Sequence, residues 1–576
     1  MELVEVRTPY LDDVVVRLPL SNPVDGTLYI TGHHLILSSA KTDTQELSLM
    51  HQNVDNVERR LHSTGGSIIL KCKDFKTFQL DIPGLDDCNN IANSLEQFAS
   101  LSDPSKYYPL FFRPTFEIME DGWTAFLPET EFSKILRTTD EWRISHVNKD
   151  FSVCRSYPTS VIVPKCIDDE TLLASASFRQ LGRFPVLSYY HQKNGAALMR
   201  SSQPMIGANG RRCKEDERLL NSLLGHGKRG YIIDTRTQNI AQMARAKGNA
   251  YKLVQVTKQL LVGGGFEPEV HYPQWRRMHK PIDRHHVLLD SLGKLMEACN
   301  DTSCSVDKWL SRLESCNWLS HVKEILNCAC LVAQCIDQEN ASLLVHGSEG
   351  MDATLQVTSL AQVILDADCR TVRGFEALIE REWLQGGHPF ALRCSHSAYT
   401  NANLRTRHQA PTFLIFLDCT WQIYQQFPCS FEFGERFLIM LFEHAYSSQF
   451  GTFLGNCDAE RAELQLGSKT VSLWSYVNQP QVLSTYLNPL YEPNNRVIWP
   501  SVAPMSLTLW TGIYLRWVCD QSLQEKAWTT IIEIKEHDKQ LRSRVTKLRR
   551  QLVELERDAV DAGILAAATP PEIDVS

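Results

Sequence analysis

The chain lacks any apolar run of membrane length. Its most apolar helical stretch, Ile325 to Ile336, is interrupted by Asn327 and Gln334, far short of the ~20 residues a span needs. No apolar segment follows the acidic start Met1-Glu2-Leu3-Val4-Glu5, so no secretory signal is expected. Basic residues are not in surplus: 59 Lys and Arg stand against 67 Asp and Glu, a formal net charge of −8. That balance gives no general attraction for nucleic acid, although a local basic patch facing an anionic membrane is compatible with it. The 17 cysteines show no framework spacing, and reduced thiols are expected. Cys328 and Cys330 are closer than the usual zinc-knuckle spacing and no matching Cys/His pair follows. Neither a metal site nor a cofactor is expected.

What is present is enough chain, 576 residues, for more than one hydrophobic core. The first hundred residues read as strands closed by a helix. Gly26 to Gly32 and His33 to Ser38 are β-rich runs, and Ser67 to Lys71 and Thr77 to Ile82 are a second pair around the Lys73-Asp74 turn. Asp86 to Phe98 sets Ile91, Leu95 and Phe98 on one helical face. This order suggests a small barrel of the pleckstrin-homology kind, with Leu101 to Tyr108 as the start of a linker.

From Pro109 to Trp517 helical and strand patterns alternate without repeats, as in one large α/β domain. Tyr231 to Asp234 and Ser342 to His346 read as buried strands, and Val322 to Ile336 as a helix. Near the C-terminus, apolar residues recur at Ile531, Ile534, Leu541, Val545, Leu548, Leu552 and Leu555, three and four apart, with Asp538 interrupting at an a position. Roughly four heptads of this seam predict a coiled coil. Its flanks are basic at Lys535, His537, Arg542, Arg544 and Arg549, and acidic only at Glu556 and Asp558. A parallel homodimer would oppose like charges, so a partner with an acidic flank is expected. After Gly563 the composition predicts disorder.

The second strand leads into His346-Gly347-Ser348-Glu349-Gly350-Met351-Asp352-Ala353-Thr354 and the helical Leu355 to Leu365. Strand, short Gly-containing loop and helix make an anion cradle, because loop N–H groups and the helix N-terminus point at the ligand. Alone this is a weak signal, shared by many α/β proteins. Other stretches give it context: Asn148 to Pro158 (N-x-x-F-x-x-C-x-S-Y-P), Arg183-Phe184-Pro185, Arg200 to Pro204, Arg373-Gly374-Phe375, Trp383 to Phe390 (W-L-Q-G-G-H-P-F), Phe416 to Trp421, Phe427 to Phe433 and Phe450 to Leu454. On these residues the chain resembles the myotubularin family of phosphoinositide 3-phosphatases over nearly its whole length.

The resemblance implies an α+β multi-domain fold. Its parts would be a PH-GRAM β-barrel with a C-terminal helix over 1–100, a linker over 101–120, and a large α/β cysteine-phosphatase-like domain over 121–517. A coiled coil over 523–560 and a disordered tail over 561–576 would follow. Active family members carry V-H-C-S-D-G-W-D-R-T at the loop. Val345, His346, Ser348, Gly350, Asp352 and Thr354 match that pattern, whereas Gly347 replaces the nucleophilic Cys and Ala353 the phosphate-binding Arg. Glu349 stands for the Asp expected to protonate the leaving group, and Met351 for Trp. Phosphocysteine chemistry needs a thiolate, and Gly347 has none. The Arg stabilises charge on the transferring group, and Ala353 offers no donor. Ser348 has no evident base beside it.

Inactive members of the family pair with active ones. The implied partners are therefore active myotubularin-related phosphatases, numbers 6, 7 and 8 of the subgroup, bound through the coiled coil. The implied location is cytoplasmic, peripheral on endoplasmic reticulum or endosomal membranes. A second reading, from another class, is a phosphoinositide-binding membrane adaptor acting without a phosphatase partner, with Arg200, Arg211, Arg212 and Lys214 as positive charge. Against it, Glu215, Asp216 and Glu217 follow directly. The family run Ala-Lys-Gly-Gly-Gly-Phe-Glu is split here by an insertion, 249–262, which reads as an altered exon or a surface loop. His271, His279, His285 and His286 lack ligand-spaced companions and read as surface or helix residues. Trp499, Trp510, Tyr514 and Trp517 read as packing residues.

Overall fold

A computed structural model of the chain describes residues 4–38, 47–63, 65–207, 210–225, 229–247, 264–400 and 408–564. The insertion 249–262 and most of the expected tail lie outside these residues. The chain divides after Cys519 into two units.

The N-terminal strands are β1 (Tyr10–Arg17), β2 (Val24–Ile30), β3 (His34–Ser38), β4 (Leu47–Met50), β5 (Val54–His62), β6 (Gly65–Cys72) and β7 (Thr77–Ile82), followed by helix α1 (Leu85–Ala99). They form one antiparallel sheet in the order β4-β3-β2-β1-β7-β6-β5. Among the described residues no pairing joins β4 to β5, so the expected barrel is an open seven-stranded sheet. Its open side is covered by α1, whose Cys88, Ile91, Ala92, Leu95 and Phe98 form a buried stripe at helical spacing. His51, in the turn between β4 and β5, stacks on Phe98 with ring centroids 4.3 Å apart.

Residues 101–120 are not a free connection. They run through 3₁₀ turns at Pro104–Lys106 and Tyr108–Leu110, with Tyr108 edge-on to His34 and Phe112 edge-on to Phe450. The sheet is further tied to the large domain by two devices. Phe75, in the β6–β7 turn at φ +71°, is 1% exposed and packs against Phe442 and Tyr514 of the main core. Asp55 of β5 accepts from the N–H groups of Ser397 and Tyr399 and from His396 Nδ1, each at 3.0 Å.

In the large domain, β8 (Trp142–Ser145) and β9 (Val161–Pro164) form an antiparallel pair. The central sheet holds β10 (Val186–His191), β11 (Ala196–Ser201), β12 (Gly230–Asp234), β13 (Trp275–His279) and β14 (Leu343–His346) in the order β10-β11-β14-β12-β13. Only the β10–β11 pair is antiparallel. The middle strand β14 is buried at every residue, as a parallel strand covered on both faces must be. Helices α2 (His285–Asn300), α3 (Trp318–Asp337), α4 (Ala353–Leu365) and α5 (Thr412–Gln426) build the main core. From Thr354 to Leu365 α4 is buried all round, and its two large polar side chains are bonded inside, Gln356 Nε2 to the Thr412 carbonyl at 2.9 Å and Gln362 Nε2 to Ser188 Oγ at 3.2 Å. Trp510 and Tyr514 are buried and Trp517 packs on the core, as expected of them, while Trp499 is 38% exposed.

The described part of the second unit is built on one helix, α6 (Ser522–Asp561), of 40 residues and therefore about 60 Å long. Gly563, at φ +72°, follows it, so the segment expected as tail from 561 begins within the helix.

Candidate active-site loop

The loop between β14 and α4 owes its shape to residues far away in sequence. Gly350, at φ +73°, lies so close to β11 that a Cβ would sit 2.2 Å from the Ser201 carbonyl oxygen; both facts require glycine. The Ser348 carbonyl accepts from Gln203 N–H at 3.1 Å, the Gly350 carbonyl from Arg183 Nη2 at 2.7 Å, and the Met351 carbonyl from His388 Nδ1 at 2.8 Å. Arg183 is fully buried, its guanidinium 4.5 Å from the Tyr157 ring centroid, and Nη2 also donates to Gly386 at 2.9 Å. Tyr157 belongs to a segment knotted by Asn148, whose amide donates to the carbonyls of Cys154, Tyr157 and Pro158. Gly387, at φ +79°, passes so near Ser156 that a Cβ would be 2.1 Å from its carbonyl oxygen. The scattered motifs around Asn148, Arg183, Gln203 and Gly387 thus meet behind one loop.

His346 ends β14 fully buried, with Nε2 donating to Glu267 at 3.0 Å and Nδ1 3.2 Å from the carbonyl oxygen of Gly347. Glu267 also accepts from Arg179 Nη1 at 2.6 Å. Burial pushes its carboxyl upward, but His346 and Arg179 outweigh that and hold it below the usual carboxylate range. Arg179 in turn grips Asp216 through Nε and Nη2 at 2.9 and 2.6 Å. A chain of buried charges, each paired, anchors the base of the strand.

Within the loop, position 347 presents no side chain. A Cβ built there would lie 2.8 Å from Thr235 Oγ1 and 3.5 Å from Thr354 Oγ1. Ala353, the first residue of α4, presents a methyl group. The carboxylate of Asp352 is clamped by Arg393, with Nε and Nη2 both at 2.8 Å, and by His285 Nε2 at 2.9 Å. Against the upward push of burial, Arg393 and then His285 hold it well below its usual range. His388, buried beside it, is pushed down to about 4 by burial. Ser348 Oγ accepts from Arg284 Nη2. Arg284, His285, Ser348, Asp352 and Arg393 line a cavity of roughly 530 Å³ together with Glu349, Thr235 and Arg236, a volume within the range of ligand pockets.

His285 therefore corrects the reading from sequence: it is a member of this site, paired with Asp352 from 67 residues away. Arg284, Arg393 and Thr235 were not singled out either. No spacing signal could have found them, since each reaches the loop across a chain reversal. His279 lies on β13, where Nδ1 donates to the Arg236 carbonyl at 3.3 Å. Of the basic residues suggested for lipid binding, Arg200 is buried 3.4 Å from Glu382 and Arg212 is spanned by Glu217 at 2.8 Å. Among the described residues no cluster of metal-ligating side chains occurs, and no helix is long and apolar enough to cross a membrane.

The expected partner-binding seam lies along α6. Ile531, Ile534, Leu541, Val545, Leu548, Leu552 and Leu555 are all exposed, from 39% at Ile531 to 65% at Leu555. Asp538, in the same row, accepts from Arg542 Nε at 2.8 Å.

Comparison with known proteins places these features in one frame. Residues 107–462 match the model of the myotubularin-like phosphatase domain, and residues 12–99 match that of the GRAM domain of MTMR6-9. Myotubularin-related protein 9 of Homo sapiens is 59% identical over 559 residues, covering 97% of this chain and 99% of that protein. Its namesake from Caenorhabditis elegans is 41% identical over 97% of this chain and 98% of its own length. Phosphatidylinositol-3,5-bisphosphate 3-phosphatase MTMR6 of Homo sapiens is 34% identical over 97% of this chain and 88% of its own length. With a phosphatase-domain match over more than half its length and such relatives end to end, the chain belongs to the myotubularin family.

Proposed function

We propose that this chain is a catalytically inactive phosphoinositide 3-phosphatase homologue that binds active myotubularin-related phosphatases through α6. Its role is to regulate their activity, stability or localisation, and so the levels of phosphatidylinositol 3-phosphate and 3,5-bisphosphate. The observation that carries this reading is the contrast at one loop. The shell around Gly347 to Thr354 is held by buried hydrogen bonds from Arg183, Gln203 and His388, yet the side chains at 347 and 353 offer neither a nucleophile nor a donor to a phosphoryl group. A bidentate guanidinium contributes about 1.5–3 kcal/mol per charged hydrogen bond, so its loss weakens phosphate binding as well as turnover. Ser348 does not substitute, because its hydroxyl faces Arg284 rather than a base.

In this reading residues 1–100 form the GRAM domain, 101–120 a connection, 121–517 the phosphatase-like domain and 523–560 the coiled-coil strand, with a tail over 561–576. The protein works in the cytoplasm, peripheral on internal membranes. The relatives named MTMR6 and MTMR8 are the first partners to test, and myotubularin-related protein 7 is the third. Capture of MTMR6 by the full chain is compared with capture by a chain ending before Ile531, alongside phosphate release from phosphatidylinositol 3-phosphate by the chain alone. Capture that needs the helix, with no release, supports the reading. Equal capture by both chains, or steady release by the chain alone, overturns it.

A further inference from the structure

Position 347 holds a glycine that its backbone does not demand. Gly350 requires one at φ +73°, whereas Gly347 is not among the glycines of positive φ, so an L side chain is compatible with the backbone there. The surroundings are equally sparse. Among the described residues, chain neighbours aside, two atoms lie within 4 Å of a Cβ built at 347: Thr235 Oγ1 at 2.8 Å and Thr354 Oγ1 at 3.5 Å.

The two hydroxyls differ in kind. Non-bonded heavy atoms settle about 3.5–4.0 Å apart, so Thr354 Oγ1 makes an ordinary contact with that point. It is buried and has no hydrogen-bond partner among the described residues, an unusual state that a polar side chain at 347 would end. Thr235 Oγ1 is too close and already engaged. It donates to the His346 carbonyl at 3.2 Å, which also accepts from Thr235 N–H at 2.9 Å. The Thr235 carbonyl accepts from Ile282 N–H at 2.9 Å, and the residue is 3% exposed. Its backbone is tied on both sides, and a β-branched side chain has few rotamers to move into.

Resting on the reading that the loop is inactive, we propose that Thr235 is a third determinant of that inactivity, beside Gly347 and Ala353. Its hydroxyl ties the end of β12 to the end of β14 and occupies the space that a side chain at 347 needs. A thiol placed at 347 is pushed off its line of attack, and a displacement of about 1 Å costs on the order of 100-fold in rate. Thr235 acts through position, not chemistry: reducing it to alanine is what lets a restored loop work.

The test has a structural arm and a chemical arm, both in the full chain. Gly347→Ala is expected to lower the thermal midpoint by about 2 °C in the parent, and by less than half as much in Thr235→Ala, each against its own background. Thr235→Ser keeps the hydroxyl oxygen, and there the full drop should return. For the chemical arm, Gly347→Cys, Glu349→Asp, Met351→Trp and Ala353→Arg together restore the loop pattern of active members. Phosphate release from phosphatidylinositol 3-phosphate by this restored chain is compared with release by the same chain carrying Thr235→Ala. The second is expected to be at least about tenfold faster.

A drop for Gly347→Ala that is as large in Thr235→Ala as in the parent overturns the proposal. Equal release by the two restored chains, including none from either, overturns it as well. If the parent is inert while the restored chains are equal, Thr235 is discarded and the inactivity reading stands. Steady release by the parent itself overturns the inactivity reading, and with it the role given to Thr235.

Discussion

The loop after β14 and the seam of α6 handle their side chains in opposite ways. Around the loop, Arg183, Glu267, His346 and Arg393 are buried and Asp352 half-buried, and all are bonded to one another or to the backbone. Along α6, seven apolar residues face solvent without cover. Fully burying one such side chain contributes about 1.5–3 kcal/mol, so a partner must cover most of the seam to offset the cost of association. The charged groups around the loop are already engaged with protein partners. A site finished internally behaves as a scaffold, and a surface left unfinished is where binding free energy remains.

The largest effect that would break this contrast is on the helix. Leu541→Asp with Leu548→Asp is expected to lower capture of MTMR6 by more than ~100-fold, as loss of central anchors does. The thermal midpoint of the remainder should not move. Titration and differential scanning fluorimetry read the two arms, and retained capture would show that the seam is not the docking face.

The next effect falls on the loop. Arg183→Ala leaves the carbonyls of Gly350 and Gly386 without their buried donor, and is expected to cost about 2–4 kcal/mol. A lowered midpoint should appear without loss of capture by α6. An unchanged midpoint would mean that the loop does not depend on its shell.

Smaller again is a pH effect from two histidines, His51 packed in the N-terminal domain and His444 in the large domain. Burial holds His51 and His444 down to about 4. Unfolding therefore takes up protons between the ordinary histidine value of about 6.5 and about 4. Stability is complete above that window and falls as pH drops through it. Thermal midpoints from pH 7 to pH 4 should decline, and His444→Gln should make the decline shallower.

The smallest expected effect is on chemistry. Gly347→Cys with Ala353→Arg should release little phosphate, because a Cβ at 347 would lie 2.8 Å from Thr235 Oγ1. Adding Thr235→Ala should raise the release. Full activity in the double variant would show that Thr235 yields freely.

Periodic and chain-continuous features were legible before the structure. The α1 stripe, the helix expected over Val322 to Ile336 within Trp318–Asp337, and the strand–loop–helix at His346 all lie where the pattern put them, within a few residues. Each depends on neighbours three or four apart, or on a Gly-marked turn. Closure of the N-terminal sheet was misjudged, because strand order and edge pairing are long-range properties that alternation does not encode. His285 was misjudged for a related reason: its value lies in Asp352, a residue of another element.

For this protein the sequence alone determined which side chains the loop carries, and that an apolar row recurs along the last helix. Identity and spacing need no folding to be read. Only the tertiary structure decided what surrounds those features. It showed that Asp352 is clamped by Arg393 and His285, that the sheet is tied to the large domain through Phe75 and Asp55, and that the row on α6 stays uncovered. Burial and pairing join groups hundreds of residues apart, so they exist only once the chain has folded.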